Sequence, residues 1–129
     1  MITTPITLNG APGSPYTRKM LSLLRYRRIP YKLLQYGMGG PTGLPKPKVQ
    51  LLPTFYLPNE RGELEAVVDS SPLIRRLERE FEDRSVLPPH PVTAFVDFML
   101  EDYADEWLTK AMFHYRWHYA ADADKAGDI

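Results

Sequence analysis

Glycine and proline divide this chain more decisively than any other residue type. The 129 residues include thirteen prolines and eight glycines, and both residues interrupt helices and central strands. Residues 37–48 hold four Gly and three Pro, too many for a regular helix, and "RSVLPPHP" (84–91) has the proline density of a linker. From Val92 to Tyr119 neither residue occurs. Regular structure is therefore confined to the stretch before 37, the stretch between 48 and 84, and one long run after 91.

Within those limits the apolar periodicity assigns the elements. "PITLNG" (5–10) reads as a strand ended by Gly10, and residues 15–28 place Met20, Leu21, Leu24 and Arg28 at helical spacing. "IPYKLLQY" (29–36) is a second strand, followed by a loop over 37–48. Residues 53–68 form two β-rich runs around Asn59, Arg61 and Gly62, which predicts an antiparallel hairpin. "SSPLIRRLEREFED" (70–83) puts Leu73, Ile74, Leu77 and Phe81 on one helical face and Arg75, Arg76, Arg79 and Glu80 on the other.

The run from Val92 to Tyr119 predicts one long helix. Its apolar positions (Phe95, Phe98, Met99, Tyr103, Trp107, Leu108, Ala111, Met112, Tyr115, Tyr119) make a stripe wider than a coiled-coil seam. The polar tail 121–129 is expected to fray. The class is α/β in the order β-α-β, loop, β-β-α, with a first domain at 1–83, a linker at 84–91 and a helical part at 92–129.

Composition narrows the function. Apolar residues make up 43% and charged residues 25%, and 16 basic side chains balance 16 acidic ones. No excess charge marks a nucleic-acid or anionic-membrane partner. The N-terminus has neither a basic segment nor a long apolar one, so a soluble cytoplasmic protein is expected. With no cysteine, the chain forms no disulfide, no thiolate metal site and no thiol redox couple of its own.

Two serine-proline pairs draw the chemistry. Ser14 precedes Pro15 at the start of a helical pattern, for which an N-cap is the simpler reading and a hydroxyl placed to hold a reactive group the other. Tyr16 and Thr17 read as packing and a first-turn hydroxyl. Ser71 precedes Pro72 in the same way, with Asp69 and Ser70 beside it: capping explains both serines, while a helix N-terminus next to an acidic side chain also suits a ligand carrying a carboxylate and an ammonium. His114 and His118 have the i, i+4 spacing of metal ligands, but no third ligand converges, and aromatic packing between domains accounts for them. No metal is expected. Glu101, Asp102, Asp105 and Glu106 read as a solvated face.

Three motifs together resemble the glutathione transferase family: "SPYTRKMLSLLRYRRIPY", the proline of "LLPTFYL" before the third strand, and "VVDSSPLIRRLE" opening the next helix. The resemblance covers residues 5 to about 88, and the linker and long helix resemble the start of that family's helical domain. It implies a thioredoxin-like N-terminal domain that binds glutathione as co-substrate. Ser14 would then be the catalytic hydroxyl that hydrogen-bonds the glutathione sulfur.

The resemblance further implies that Asp69 and Ser70 hold the γ-glutamyl group. A cis Leu52-Pro53 bond would leave the Leu52 backbone to pair with the cysteinyl backbone, and Gln50 and Lys48 would reach the glycyl carboxylate. The implied activity is attack of the thiolate on a small hydrophobic electrophile, and a homodimer is expected. The chain departs from the family in two places, with a Gly/Pro-rich loop in the slot of the second helix and a helical domain that stops after its first helix. The alternative is a non-catalytic glutathione-binding or protein-interaction module, and a third reading is a piece of a longer enzyme.

Overall fold

A computed structural model describes residues 1–35 and 43–127. Residues 37–42 of the expected loop and the last two residues of the tail lie outside the described residues. The chain divides into two units, Met1–Val86 and Leu87–Ile129.

The first unit contains β1 (Ile6–Gly10), α1 (Pro15–Tyr26), β2 (Tyr31–Gln35), β3 (Thr54–Pro58), β4 (Leu64–Val67) and α2 (Ser70–Glu80). Its sheet runs in the order β2-β1-β3-β4. β1 and β2 pair in parallel across the α1 crossover, with Leu8 opposite Leu33. β3 runs antiparallel to β1, with Leu8 opposite Phe55, and β4 runs antiparallel to β3. This is the thioredoxin-like arrangement, with the two central strands buried.

The core follows the helical faces legible in the sequence. Met20, Leu21 and Leu24 of α1 and Leu73 and Leu77 of α2 are buried with Ile6, Leu8, Phe55 and Leu57 of the sheet. Asn59 shapes the hairpin turn, its Oδ1 accepting from the backbone N–H groups of Arg61 and Glu63, each at 2.9 Å. Gly62 adopts φ +82°, where a side chain would be strained.

Arg28 is not part of the helix it was expected to extend. It turns to φ +55°, its N–H donates to Arg25 O at 3.1 Å, and the Ile29 N–H donates to Leu24 O at 2.9 Å. That pair of bonds is a Schellman ending with arginine at the position usually taken by glycine, closed by buried Ile29 and followed by Pro30. A second departure is the end of α2, at Glu80 instead of Asp83, with Phe81 already extended at φ −127°. Residues 81–86 belong to the first unit, because the buried Arg27 guanidinium donates to the carbonyls of Phe81 and Asp83 while Glu78 accepts from Ser85 Oγ and the Val86 N–H.

The second unit is α3 (Pro91–Tyr103), a π-helical turn (Ala104–Leu108), α4 (Thr109–Trp117) and α5 (Ala120–Gly127). The expected long helix is thus interrupted by a wide turn, where Thr109 Oγ1 donates to Asp105 O at 2.6 Å. The tail, expected to fray, is helical to Gly127 because Ala120, Ala121, Ala123 and Ala126 favour helix. His114 and His118 stack with ring centroids 4.6 Å apart. Phe95, Phe98, Tyr103, Trp107, Tyr115 and Trp117 are each at least half exposed.

Candidate functional site

The site begins where β1 ends. At Gly10 an added Cβ would lie 2.6 Å from Thr17 Cγ2, so only glycine lets the first turn of α1 settle against the strand. Thr17 is buried, and its Oγ1 accepts from the Ala11 N–H at 3.4 Å. The chain then turns through Pro12 and Gly13, with the Ser14 N–H donating to Ala11 O at 3.1 Å, and enters the helix at Ser14.

Ser14 is the N-cap of α1, with Pro15 in the first turn. Its Oγ accepts from the Thr17 N–H at 3.2 Å and donates to Leu52 O at 3.4 Å. Capping is therefore its structural role, and capping does not use up the hydroxyl. The N–H fixes one lone pair, and the hydroxyl proton is left on a long bond to a carbonyl at the edge of the loop, where a stronger acceptor would take it. The Leu52-Pro53 bond is cis, Pro53 is buried at the start of β3, and Thr54 Oγ1 donates to Leu51 O at 2.8 Å.

The second half of the site is the start of α2. Asp69, not Ser71, stands at the N-cap position; its side chain makes no cap bond, and its backbone sits at φ +77°. That conformation is costly for a residue with a Cβ, roughly 1–3 kcal/mol, and the carboxylate is exposed. The helix starts two residues earlier than Pro72 suggests, so Ser71 lies inside its first turn. Ser70 is buried, and its Oγ accepts from Lys19 Nζ at 3.1 Å.

Lys19 escaped the sequence reading because a lysine on a helix is normally a solvated charge. Here it crosses from α1 and ties that helix to the start of α2. Since the ammonium occupies an oxygen lone pair of Ser70, that hydroxyl's own proton is available to an anion. Ser14, with Leu52 beside it, thus lies at the N-terminal end of α1, and Ser70 and Asp69 at that of α2, the two helices being joined by the Lys19–Ser70 bond. Lys48 and Gln50 are exposed on the approach to Leu51, and among the described residues neither is hydrogen-bonded to this group.

Chemically, the arrangement offers one orientable hydroxyl beside a loop carbonyl, a second hydroxyl backed by a cation, an exposed carboxylate and two positive helix ends. It suits a zwitterionic, extended ligand with an anionic atom at Ser14. Among the described residues no cluster of metal-ligating side chains is present, and no helix is long and apolar enough to cross a membrane. Residues 8–85, more than half of the chain, match the family model described as Glutathione S-transferase, N-terminal domain. No curated protein matches the chain.

Proposed function

The chain belongs to the glutathione S-transferase family through its N-terminal domain, and from that premise we propose that it binds glutathione and holds its sulfur as the thiolate for attack on a small hydrophobic electrophile. The observation that carries this reading is the Ser14 hydroxyl, fixed by the Thr17 N–H on one side and held only at 3.4 Å by Leu52 O on the other. A free thiol titrates near ~8.5, and only the thiolate is a good nucleophile. Lowering that value by about 1.5 units requires roughly 2 kcal/mol, which is the size of one charge-assisted hydrogen bond. The α1 N-terminus acts in the same direction.

In this reading Leu52 pairs with the cysteinyl backbone, while Ser70 and Asp69 take the carboxylate and ammonium of the γ-glutamyl group. Lys48 and Gln50 answer the glycyl carboxylate by side-chain movement. The thiol proton leaves to solvent, the sulfur lone pair forms the new bond to carbon, and the leaving group departs with its electron pair. No metal takes part. The protein works as a homodimer, with the exposed aromatic side chains of α3 and α4 at the contact between copies, because each such side chain, half or more exposed, forgoes roughly 1 kcal/mol by remaining in water.

One observation favours the second reading, a glutathione-binding module without turnover: α3, α4 and α5 contribute no buried side chain, so a walled pocket for the electrophile has little to build it. Calorimetry with glutathione, followed by a conjugation assay with chlorodinitrobenzene, separates the two. Binding with turnover supports the transferase reading, binding alone selects the module, and no binding rejects both.

A further inference from the structure

The balanced net charge hides an uneven distribution. Residues 1–59 contain eight Lys and Arg and no Asp or Glu. One of these cations, Arg27, is neutralised from α2 by Glu78 at 2.8 Å. Two others, Arg18 and Arg25, lie seven residues apart on α1 and line one cleft of about 390 Å³ with Pro12, Leu21, Ser22 and Leu33.

Both guanidiniums are anchored through their inner nitrogen alone. Arg18 Nε donates to Pro12 O at 2.9 Å, and Arg25 Nε donates to the Tyr31 hydroxyl at 2.9 Å. Pro12 precedes the start of α1 and Tyr31 follows its end, so the anchors hold the two cations toward opposite ends of the cleft. Seven residues of helix span roughly 10 Å. Among the described residues nothing engages the outer nitrogens of either guanidinium, and residues 36–42, which follow the strand lining the cleft, contain no acidic side chain. Between the cations lie the Ser22 hydroxyl and the side chains of Leu21 and Leu33.

We propose that this cleft on the flank of α1 is a binding site for an elongated dianion, a small molecule with a carboxylate or phosphate at each end of an apolar body. A guanidinium whose Nε is already fixed offers its two outer nitrogens as a pre-set fork for a carboxylate or phosphate, with little side-chain ordering left to oppose binding. The two forks set the length of the ligand, and the leucines favour a hydrocarbon middle over a polar one. The cleft shares Thr17 with the Ser14 turn but uses neither the Ser14 nor the Ser70 hydroxyl, so it does not depend on glutathione use.

The test is calorimetry of the 129-residue protein at low ionic strength with suberate, whose extended chain sets its carboxylates about as far apart as the two forks. Octanoate, lacking one charge, and succinate, lacking the length, serve as references. Suberate is expected to bind at least tenfold more tightly than either. Arg18→Gln and Arg25→Gln should each weaken it at least tenfold, and Ser22→Glu, which places a carboxylate between the forks at an exposed helical position, should abolish it with the fold intact by circular dichroism. Asp69→Asn should leave it unchanged. Equal affinity for suberate and octanoate, or suberate binding that survives the three α1 variants, would overturn the proposal. So would binding that rises with Asp69→Asn, which would place the dianion at the start of α2, where that carboxylate repels it.

Discussion

Replacing Arg27 by methionine should remove a large part of the stability of the first unit. The Arg27 side chain has no exposed surface and that of Glu78 is 10% exposed. Nη1 stands 2.8 Å from Glu78 Oε1 as an ion pair without an aligned hydrogen bond, and the rest of the guanidinium serves the carbonyls of Phe81 and Asp83. Methionine fills similar volume, but it leaves a nearly buried carboxylate without its cation and two carbonyls without their donor. Breaking a buried pair from one side costs about 3–5 kcal/mol, against a total of roughly 5–15 kcal/mol for a domain. In urea denaturation the midpoint should fall by roughly a fifth or more with little change in slope, and Tm should fall by roughly 12 °C or more.

The second arm of this test is Glu78→Leu, alone and combined with Arg27→Met. If the pair is coupled, the double variant should be at least 1 kcal/mol more stable than the sum of the single losses predicts, because it leaves no lone charge behind. A loss below about 1 kcal/mol for Arg27→Met, or strict additivity in the double variant, would show that the two charges are not held as a coupled buried pair and that water reaches them once the pair is cut.

Three smaller predictions rest on single positions. Arg28→Gly should stabilise the protein by about 1 kcal/mol in the same denaturation assay, since the left-handed backbone at φ +55° costs a residue with a Cβ about that much. Gly10→Ala should destabilise by about 1–3 kcal/mol through the 2.6 Å contact with Thr17 Cγ2; adding Thr17→Ser, which deletes that methyl, should recover part of the loss. Burial raises the pKa of the Tyr56 hydroxyl, so the folded state holds that proton more tightly than the unfolded state. Its contribution to stability is then complete below a pH of about 10 and declines as pH rises through the folded value. A spectrophotometric titration of wild type against Tyr56→Phe should show this tyrosine ionising above that point.

Most of the sheet and both helices of the first unit were legible because their signals are local. Met20, Leu21 and Leu24 repeat at helical spacing, Asn59 and Gly62 mark the hairpin, and Ser14 before Pro15 marks a helix start. What escaped depends on partners distant in sequence. Arg28 continues the spacing of α1, and nothing local shows that the backbone turns left-handed there to bury Ile29. Pro72 suggests a cap at Ser71, whereas the helix begins at Ser70 behind a strained Asp69. Lys19 acquires its part in the site only because Ser70, 51 residues away, comes within 3.1 Å. The interruption at Ala104–Leu108 has no Gly or Pro to announce it, and the alanines of α5 were outweighed by the polarity of the tail.

In the proposed function everything turns on the Ser14 hydroxyl lending its proton to a glutathione sulfur. The most direct measurement is the ultraviolet absorbance of the thiolate of bound glutathione as a function of pH, in wild type and in Ser14→Ala, with affinity measured alongside. The wild-type midpoint should lie clearly below the free-thiol value of ~8.5, and that of Ser14→Ala should move back toward it by about a unit or more, with affinity changed only a few-fold because Leu52, Ser70 and Asp69 would still hold the peptide. The variant should also lose about 0.5–2 kcal/mol of stability from the missing cap. If that stability loss is seen while the thiolate midpoint is the same in both proteins, Ser14 is only a helix cap and the catalytic reading is wrong.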